Sequence, residues 1–285
     1  MNARSELPYH PCAPVPVVRS NARLLTGILA ALMATLALVM AIGLRNYSFD
    51  HDFYDGINSP ILAVELASNS SELASVLSPR NVSDEAAAQS QAREVVRTNT
   101  YEDCLFIVLY TSFLWCFGTL FAFRGDGNPA NLRIFKVVLV ATALCDYAEN
   151  FGIVRAIGAA QLSDSLALNT CWPSRCKWSL LGIALLLTAN ILLHSRNPLY
   201  SLATRRLLAL DCVLSGALLI VGIWDPPLVE LGVNLFGSTV LINLLALLGP
   251  YLSDWIPARV PHYVDDFCQR RKMGKVDVAV SINQR

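Results

Sequence analysis

The stretch VVLVATALCDYAENF, residues 137–151, decides the class of this protein. It is apolar in the manner of a helix that crosses a membrane, yet it contains two carboxylates, Asp146 and Glu149. Their three-residue spacing places both side chains on one face of a helix. An ionised carboxylate in hydrocarbon costs several kcal/mol, so both side chains must face protein, a cation or water. The two acids are therefore the strongest functional signal in the chain.

The composition is typical of a multi-pass membrane protein. Of 285 residues, 54% are hydrophobic and 15% are charged, whereas about 25% of residues are charged in soluble domains. The apolar residues gather in six blocks, which predicts an all-α bundle of six transmembrane helices. The net charge is zero, so there is no basic field for nucleic acid. We expect no metal site and no cofactor, because zinc-type Cys spacing, a His-x-x-x-His pair and a Gly-rich phosphate loop are all missing from the sequence.

The predicted spans form a four-helix unit followed by two further helices. The four-span unit covers residues 24–195 and includes a polar segment at 45–103, and the two further spans lie within 196–252. Residues 1–23 and 253–285 are polar tails. The spans are predicted at residues 24–44, 104–123, 134–157, 176–194, 207–224 and 231–252.

The basic residues predict the orientation of the chain. With both termini inside, 15 of the 22 Lys and Arg residues fall in inside segments and seven fall in outside segments. Positive charge concentrates on the cytoplasmic side of membrane proteins. We therefore expect a multi-pass protein of the cell membrane, surrounded by membrane lipids, with cytoplasmic N- and C-termini.

The polar segment at 45–103 is predicted to be helical and extracytoplasmic. Ser59 followed by Pro60 is a helix start, and apolar residues then recur at helical spacing from Leu62 to Leu77. This amphipathic segment is expected either to lie on the outer membrane surface or to roof the bundle. A second start signal, from Ser83 to Glu85, predicts a helix that continues directly into the second span.

The depths of the charged residues predict a polar pocket near the outer face. At a rise of about 1.5 Å per residue, Asp146 lies about 15 Å and Glu149 about 20 Å above the inner boundary of a core about 30 Å thick. Lys177 lies about 25 Å up on the fourth helix, where its flexible stem can reach Glu149. Asp103 and Arg155 lie at or above the same level.

These groups also have a structural interpretation. A pair between Glu149 and Lys177 that only fixes helix packing fits the sequence as well as one that handles a solute or a proton. Asp146 has no evident basic partner at its depth. A retained proton, or a hydrogen bond from Asn150 four residues on, would satisfy its carboxyl group.

Two further features lie outside this group. Cys171 and Cys176 bracket a short predicted outer loop, where a disulfide is sterically allowed if that side is oxidising. Asp211 lies near the inner boundary of the fifth span, where pairing with Arg205, Arg206 or interfacial water is expected.

Four short motifs occur together in the four-span unit. They are Ala-x-Glu-Leu-Ala at 63–67, an Asp at the start of the second span, Asp-x-x-Glu-Asn at 146–150 and a Lys in the fourth span. In this combination the chain resembles a group of bacterial multi-pass membrane proteins of unassigned function, over roughly residues 24–195. The resemblance implies no activity, substrate or cofactor. It does imply a four-helix unit that gathers candidate ligand-binding residues near the outer face: Glu65, Asp103, Asp146, Glu149, Asn150 and Lys177.

Three functions fit these observations. The first is a bundle whose outward-facing polar pocket binds or passes a small solute, a proton or a lipid headgroup. The second is a structural or assembly subunit whose buried charges fix helix packing. The third is an intramembrane lipid-modifying enzyme with Glu149 or Asp146 as general base. Such an enzyme usually needs a metal or a nucleophile–base pair as well, so the sequence favours the first two.

Overall fold

The described part of the chain is entirely helical. The computed structural model describes residues 18–45, 57, 59–77, 85–122, 129–195 and 200–253. An all-α fold is confirmed for these residues, which contain no strand. They form α1 (Val18–Arg45), α2 (Pro60–Leu66), α3 (Ser70–Leu77), α4 (Glu85–Ala122), α5 (Pro129–Gly158), α6 (Asp164–His194), α7 (Leu202–Gly222) and α8 (Pro226–Ser253).

The chain divides into two compact units, Met1–Leu247 and Leu248–Arg285. In the second unit, the described residues are the end of α8. The packing and the site described below belong to the first unit.

Three helices are long and apolar enough to cross a membrane. They are Ala86–Ala122, Ala130–Gly158 and Asp164–His194, and two shorter apolar helices occupy Leu24–Met40 and Pro226–Ile242. At about 1.5 Å per residue, the first of these helices is about 55 Å long and exceeds a hydrocarbon core of about 30 Å. The helices needed for a membrane protein are therefore present, while the arrangement of six spans stays a prediction.

Helix α4 confirms the predicted continuity between the polar segment and the second span, because it runs from Glu85 to Ala122. Arg93 Nη1 on this helix donates hydrogen bonds of 3.0 Å to the carbonyl oxygens of Ile157 and Ala159. Carbonyls at the C-terminus of a helix lack intrahelical donors. The Arg93 side chain therefore fastens α4 to the end of α5.

Consecutive long helices pack against one another. Helix α4 packs against α1 and α5, α5 against α6, and α6 against α7. Helices α6 and α7 approach each other closely at two glycines. A Cβ added to Gly182 would lie 2.7 Å from the Gly216 carbonyl oxygen, and one added to Gly216 would lie 2.7 Å from the Gly182 carbonyl oxygen. Residues without a side chain allow two helices to approach this closely.

Helices α2 and α3 are packed into one end of the bundle, which we call the α2–α3 end. Helix α2 packs against α3, α5 and α6, and α3 packs against α4 and α6. Pro60 opens α2, and every residue from Leu62 to Leu66 is buried. The expected location on the outer membrane surface is therefore wrong for α2, because residues 62–66 are covered by the neighbouring helices on every side. Helix α2 carries Glu65 into the interior.

Two acceptors fix the start of α3. The Asn69 side-chain oxygen accepts hydrogen bonds from the amides of Ser71 and Glu72, at 3.1 and 2.9 Å. Asp164, in the first turn of α6, accepts from the amide and the hydroxyl of Ser70, at 2.8 and 2.7 Å. The α2–α3 end is thereby tied to the beginning of α6.

Helix α6 begins earlier than the predicted fourth span at 176–194. It starts at Asp164, where the Ser163 hydroxyl caps it by accepting from the Leu166 amide at 3.4 Å. The residues between Cys171 and Cys176, predicted to form a loop, are helical. The predicted loop is therefore wrong, and Pro173 lies inside the helix.

Pro173 is accommodated inside α6. Proline has no amide hydrogen, so the Asn169 carbonyl loses its usual donor four residues ahead. This oxygen faces α5 at Gly152, where an added Cβ would lie 2.8 Å from it. The proline therefore sits where α5 and α6 pack closely, and glycine provides the space.

Helices α7 and α8 are joined by a carboxylate–hydroxyl contact. Asp211 accepts a hydrogen bond of 3.1 Å from the Ser238 hydroxyl and another from the Thr239 hydroxyl. The predicted pairing of Asp211 with Arg205 or Arg206 is wrong, because hydroxyl groups of α8 satisfy this carboxylate.

Candidate functional site

Lys177 lies at the centre of a buried polar cluster. Its Nζ is 2.9 Å from Glu149 Oε1, 3.1 Å from Asp146 Oδ1 and 3.2 Å from Glu65 Oε2. Glu149 is fully buried, and the other three residues are exposed by 6% or less. We call these four residues the acid–lysine cluster. Four of the six predicted site residues therefore meet at one ammonium group.

The cluster follows from the spacing of its residues along three helices. Asp146 and Glu149 lie one turn apart on α5, and α6 packs alongside, so a single long lysine side chain reaches both acids. Helix α2 brings Glu65 from the other side. The expectation that Asp146 has no basic partner is therefore wrong. It compared the depths of the residues and did not allow for the length of the Lys177 side chain, which reaches Asp146 from the neighbouring helix.

Helix α4 extends the cluster. The Tyr110 hydroxyl donates a hydrogen bond of 2.9 Å to Asp146 Oδ2. The Asn150 side-chain nitrogen donates to Asp103 Oδ2 at 2.8 Å, rather than to Asp146 as expected. Glu65, Asp103, Asp146 and Lys177 all line one cavity. The structure thus places all six predicted site residues in one region.

The region holds more acids than bases. Four carboxyl groups (Glu65, Asp103, Asp146 and Glu149) accompany one ammonium group. Burial raises the pKa of Glu65 above its ordinary value of 4.5; Lys177 opposes this shift and Asp146 adds to it. A carboxyl group that is buried near other acids holds its proton more tightly. Protons or an added cation would balance the charge.

One oxygen of the fully buried Glu149 carboxyl has no hydrogen-bond donor. Oε1 accepts from Lys177, while Oε2 has no partner among the described residues. Glu65 Oε2 lies 3.2 Å from the same Lys177 Nζ that Glu149 Oε1 contacts at 2.9 Å, so the two carboxyl groups are neighbours. Two carboxyl groups can hydrogen-bond to each other only when one of them carries a proton, because an ionised carboxylate is purely an acceptor.

A cavity of about 390 Å³ adjoins the cluster. Its polar end carries Glu65, Asp103, Asp146 and Lys177, together with Tyr110. Helices α1, α4, α6, α7 and α8 contribute apolar walls, and the residues that form them include Met40, Phe106, Leu181, Leu219, Val233 and Phe236. Binding sites for small molecules combine mostly apolar walls with a few placed polar groups, and this cavity has that composition.

Four buried polar atoms of cavity-lining residues make no hydrogen bond in the described part of the chain. Two of them, Glu65 Oε2 and Asp146 Oδ1, form ion pairs with Lys177, and the other two have no such contact. Asn99 Oδ1 and Trp178 Nε1 make no hydrogen bond within the described part of the chain, although the two residues are only 3% and 9% exposed. The Lys177 ammonium lies 4.5 Å from the centre of the Trp178 ring. A buried acceptor or donor left unsatisfied costs about 1–3 kcal/mol. A bound molecule with polar groups would satisfy both atoms.

The sequence analysis missed Asn99 and Tyr110, although a signal for both is present. They lie four residues before and seven residues after Asp103, and these spacings repeat on one face of a helix. The three residues therefore form a polar stripe along α4 that faces the cavity.

Two other sequence expectations concern the cysteines of α6 and Arg155. Cys171 and Cys176 do not form the predicted disulfide, because both are free thiols on α6. Residues five apart on a helix point about 140° away from each other, so Cys171 is buried and Cys176 is exposed. Arg155, expected at or above the level of Glu149 and Lys177, is exposed and lies 5.8 Å from the Phe151 ring.

No group of three or more His, Cys, Asp or Glu residues in the described part of the chain is arranged to hold a metal ion. Within the acid–lysine cluster, the Lys177 ammonium occupies the position between the carboxylates that a metal ion would need. Comparison of the chain with protein-family models, curated proteins and solved structures finds no match. Its resemblance to a bacterial membrane-protein group therefore stays a prediction.

Proposed function

We propose that this chain is a multi-pass membrane protein whose helix bundle binds an amphiphilic organic cation, such as an amine or a quaternary ammonium compound. The observation that carries the proposal is a single cavity with an acid-rich end, apolar walls and two unpartnered polar atoms. The cationic head would lie against the carboxylates, and the apolar body would lie along the walls.

The charges of the cavity favour a cation over an anion. Its described lining contains four acids (Glu65, Asp103, Asp146 and Glu230) and one base, Lys177. The ammonium of Lys177 already forms ion pairs with three carboxylates, at 2.9 to 3.2 Å. An anionic headgroup would therefore meet an excess of negative charge without a lysine available to bind it.

The membrane arrangement forms part of the same proposal. We propose six spans in the cell membrane, cytoplasmic termini and an α2–α3 end that faces outward, with the cavity accessible from that side. The three long apolar helices support a membrane location, and the distribution of Lys and Arg supports the orientation.

A set of ligands with one tail and different heads tests this function. The purified protein in lipid nanodiscs is titrated with octyltrimethylammonium, octanol and octanoate in a calorimeter. We expect saturable binding of the ammonium compound at least tenfold tighter than of the other two, which corresponds to about 1.4 kcal/mol. Asp103→Asn should weaken this binding. Glu94→Gln removes an acid that is 64% exposed and should leave it unchanged.

Two results would contradict the proposal: no saturable binding of the ammonium compound, or tighter binding of octanoate. The first would favour the second candidate, a structural role in which the cluster only fixes helix packing. The ion-pair contacts of Lys177 with all three carboxyl groups of the cluster favour that candidate. The enzyme interpretation gains no support, because Lys177 pairs with both of its proposed general bases.

A further inference from the structure

We infer that Glu65 and Glu149 hold one proton between them, and that an organic cation entering the cavity displaces this proton. The site would then exchange a cation for a proton. This inference rests on the proposed function and adds that cation binding is coupled to the release of a proton. It starts from Glu149 Oε2, a fully buried carboxyl oxygen with no donor among the described residues.

The geometry of the two carboxyl groups explains this oxygen. As two ionised carboxylates, Glu65 and Glu149 would be buried acceptors that repel each other, because both lie against the same ammonium group. With one proton between them, one carboxyl group donates to the other. Adjacent carboxyl groups that share a proton are a known outcome of such crowding, because both cannot ionise at short distance. Lys177 contacts both carboxyl groups of the pair and Asp146 as well, so one positive charge faces the pair and a third acid.

The titratable groups that face this pair do not supply a second positive charge. Asp146 on α5 contacts Lys177, Asp103 and Tyr110 on α4 line the same cavity, and Glu230 on α8 lines it as well. Helices α1 and α7 contribute Ala37, Met40 and Leu219 to the described lining, and none of these is charged. The positive charge that would ionise both carboxyl groups therefore has to come from a ligand.

The exchange conserves charge. Glu65 lines the cavity, whereas Glu149 lies behind it against Lys177. When a cation reaches Glu65, the bond between the carboxyl oxygen and the shared proton breaks and the proton passes to water. Glu65 then faces the cation and Glu149 faces Lys177, both ionised. One positive charge enters and one leaves, which avoids an uncompensated charge in a medium of low polarity.

Proton release on binding is the direct test. Wild-type protein in nanodiscs is titrated with octyltrimethylammonium in two buffers of different ionisation enthalpy. This ligand is chosen because its own charge does not titrate. We expect release of about one proton per cation near neutral pH, and an affinity that rises about tenfold per pH unit while the pair holds its proton. Glu149→Gln should abolish both effects, and the exposed control Glu94→Gln should retain them.

Infrared spectra without ligand test the shared proton by itself. We expect the carbonyl band of a protonated carboxyl group in the wild type near neutral pH. The band should be lost in Glu65→Gln and in Glu149→Gln and kept in Glu94→Gln. A wild-type spectrum without this band, or one whose band survives in both cluster variants, would overturn the inference whatever the ligand does.

The two proposals fail in distinguishable ways. Binding of octyltrimethylammonium without proton release overturns the exchange and leaves the proposed function standing. Absence of binding overturns the proposed function and the exchange with it. If the Glu149 variant does not fold, the wild-type calorimetry and the wild-type spectrum still decide the outcome.

Discussion

Replacing Lys177 by methionine should be the most damaging single change in this bundle. The substitution keeps most of the side-chain volume and removes the charge that contacts Glu65, Asp146 and Glu149 at 3.2, 3.1 and 2.9 Å. Removal of one partner from a buried ion pair costs about 3–5 kcal/mol, because the remaining charge is left without compensation. The carboxyl groups can escape part of this cost by binding protons, so we expect the loss to be smaller at pH 5 than at pH 8.

The free energy of unfolding in mixed micelles, followed by circular dichroism across that pH range, measures the effect. Arg97→Met is the matched control, since Arg97 pairs with Glu94 at 2.7 Å with both side chains largely exposed. Such a surface pair contributes about 0–1 kcal/mol. Adding Glu149→Gln to Lys177→Met should recover part of the lost stability. A loss below about 1 kcal/mol at pH 8, or one that does not change with pH, would refute the electrostatic account.

Two further predictions concern α2 and the contact between α6 and α7. The pKa of Glu65 is raised in the folded protein, so ionisation of Glu65 reduces the stability of the wild type as the pH rises above 4.5. The Glu65→Gln variant lacks this ionisation, and its free energy of unfolding relative to the wild type should therefore increase with pH. A pH-independent difference between the two proteins would contradict this. Gly182→Ala should destabilise the protein by about 1–3 kcal/mol through overlap with the Gly216 carbonyl. Gly237→Ala, with nothing within 4 Å of the added Cβ, should be neutral or stabilising; equal effects in thermal unfolding would argue against close packing at Gly182.

Much of the helical architecture could be predicted from local signals. Apolar runs located the long helices, and the start signal before Glu85 predicted the uninterrupted α4. Such features depend on residues close together in the sequence, where periodicity and capping are informative. The start of α6 carries a similar signal, a Ser followed by an Asp at 163–164, which the prediction of a span at 176–194 did not use.

The pairing of the site residues depends on contacts between helices and was harder to predict. The spacing of Asp146 and Glu149 placed them on one face, and depth brought Lys177 to the level of Glu149. Neither argument indicated that the Lys177 ammonium would contact Asp146, Glu149 and Glu65 together. The position of α2 inside the bundle depends on packing against α5 and α6, which no spacing within α2 reveals.

The cavity itself could not be predicted, since its lining comes from seven helices far apart in the sequence. Asn99 and Tyr110 shared a helical face with Asp103, which was visible in the sequence. The sequence does not show whether this face borders a cavity or another helix, because that depends on how all seven helices pack.

A density map of the protein in nanodiscs with octyltrimethylammonium bound tests the central claim most directly. The account predicts the ammonium head beside the carboxyl groups of Glu65 and Asp103, within about 6 Å of the Trp178 ring, and the octyl tail along Leu219 and Val233. A head located elsewhere, or a tail at the polar end of the cavity, would contradict it.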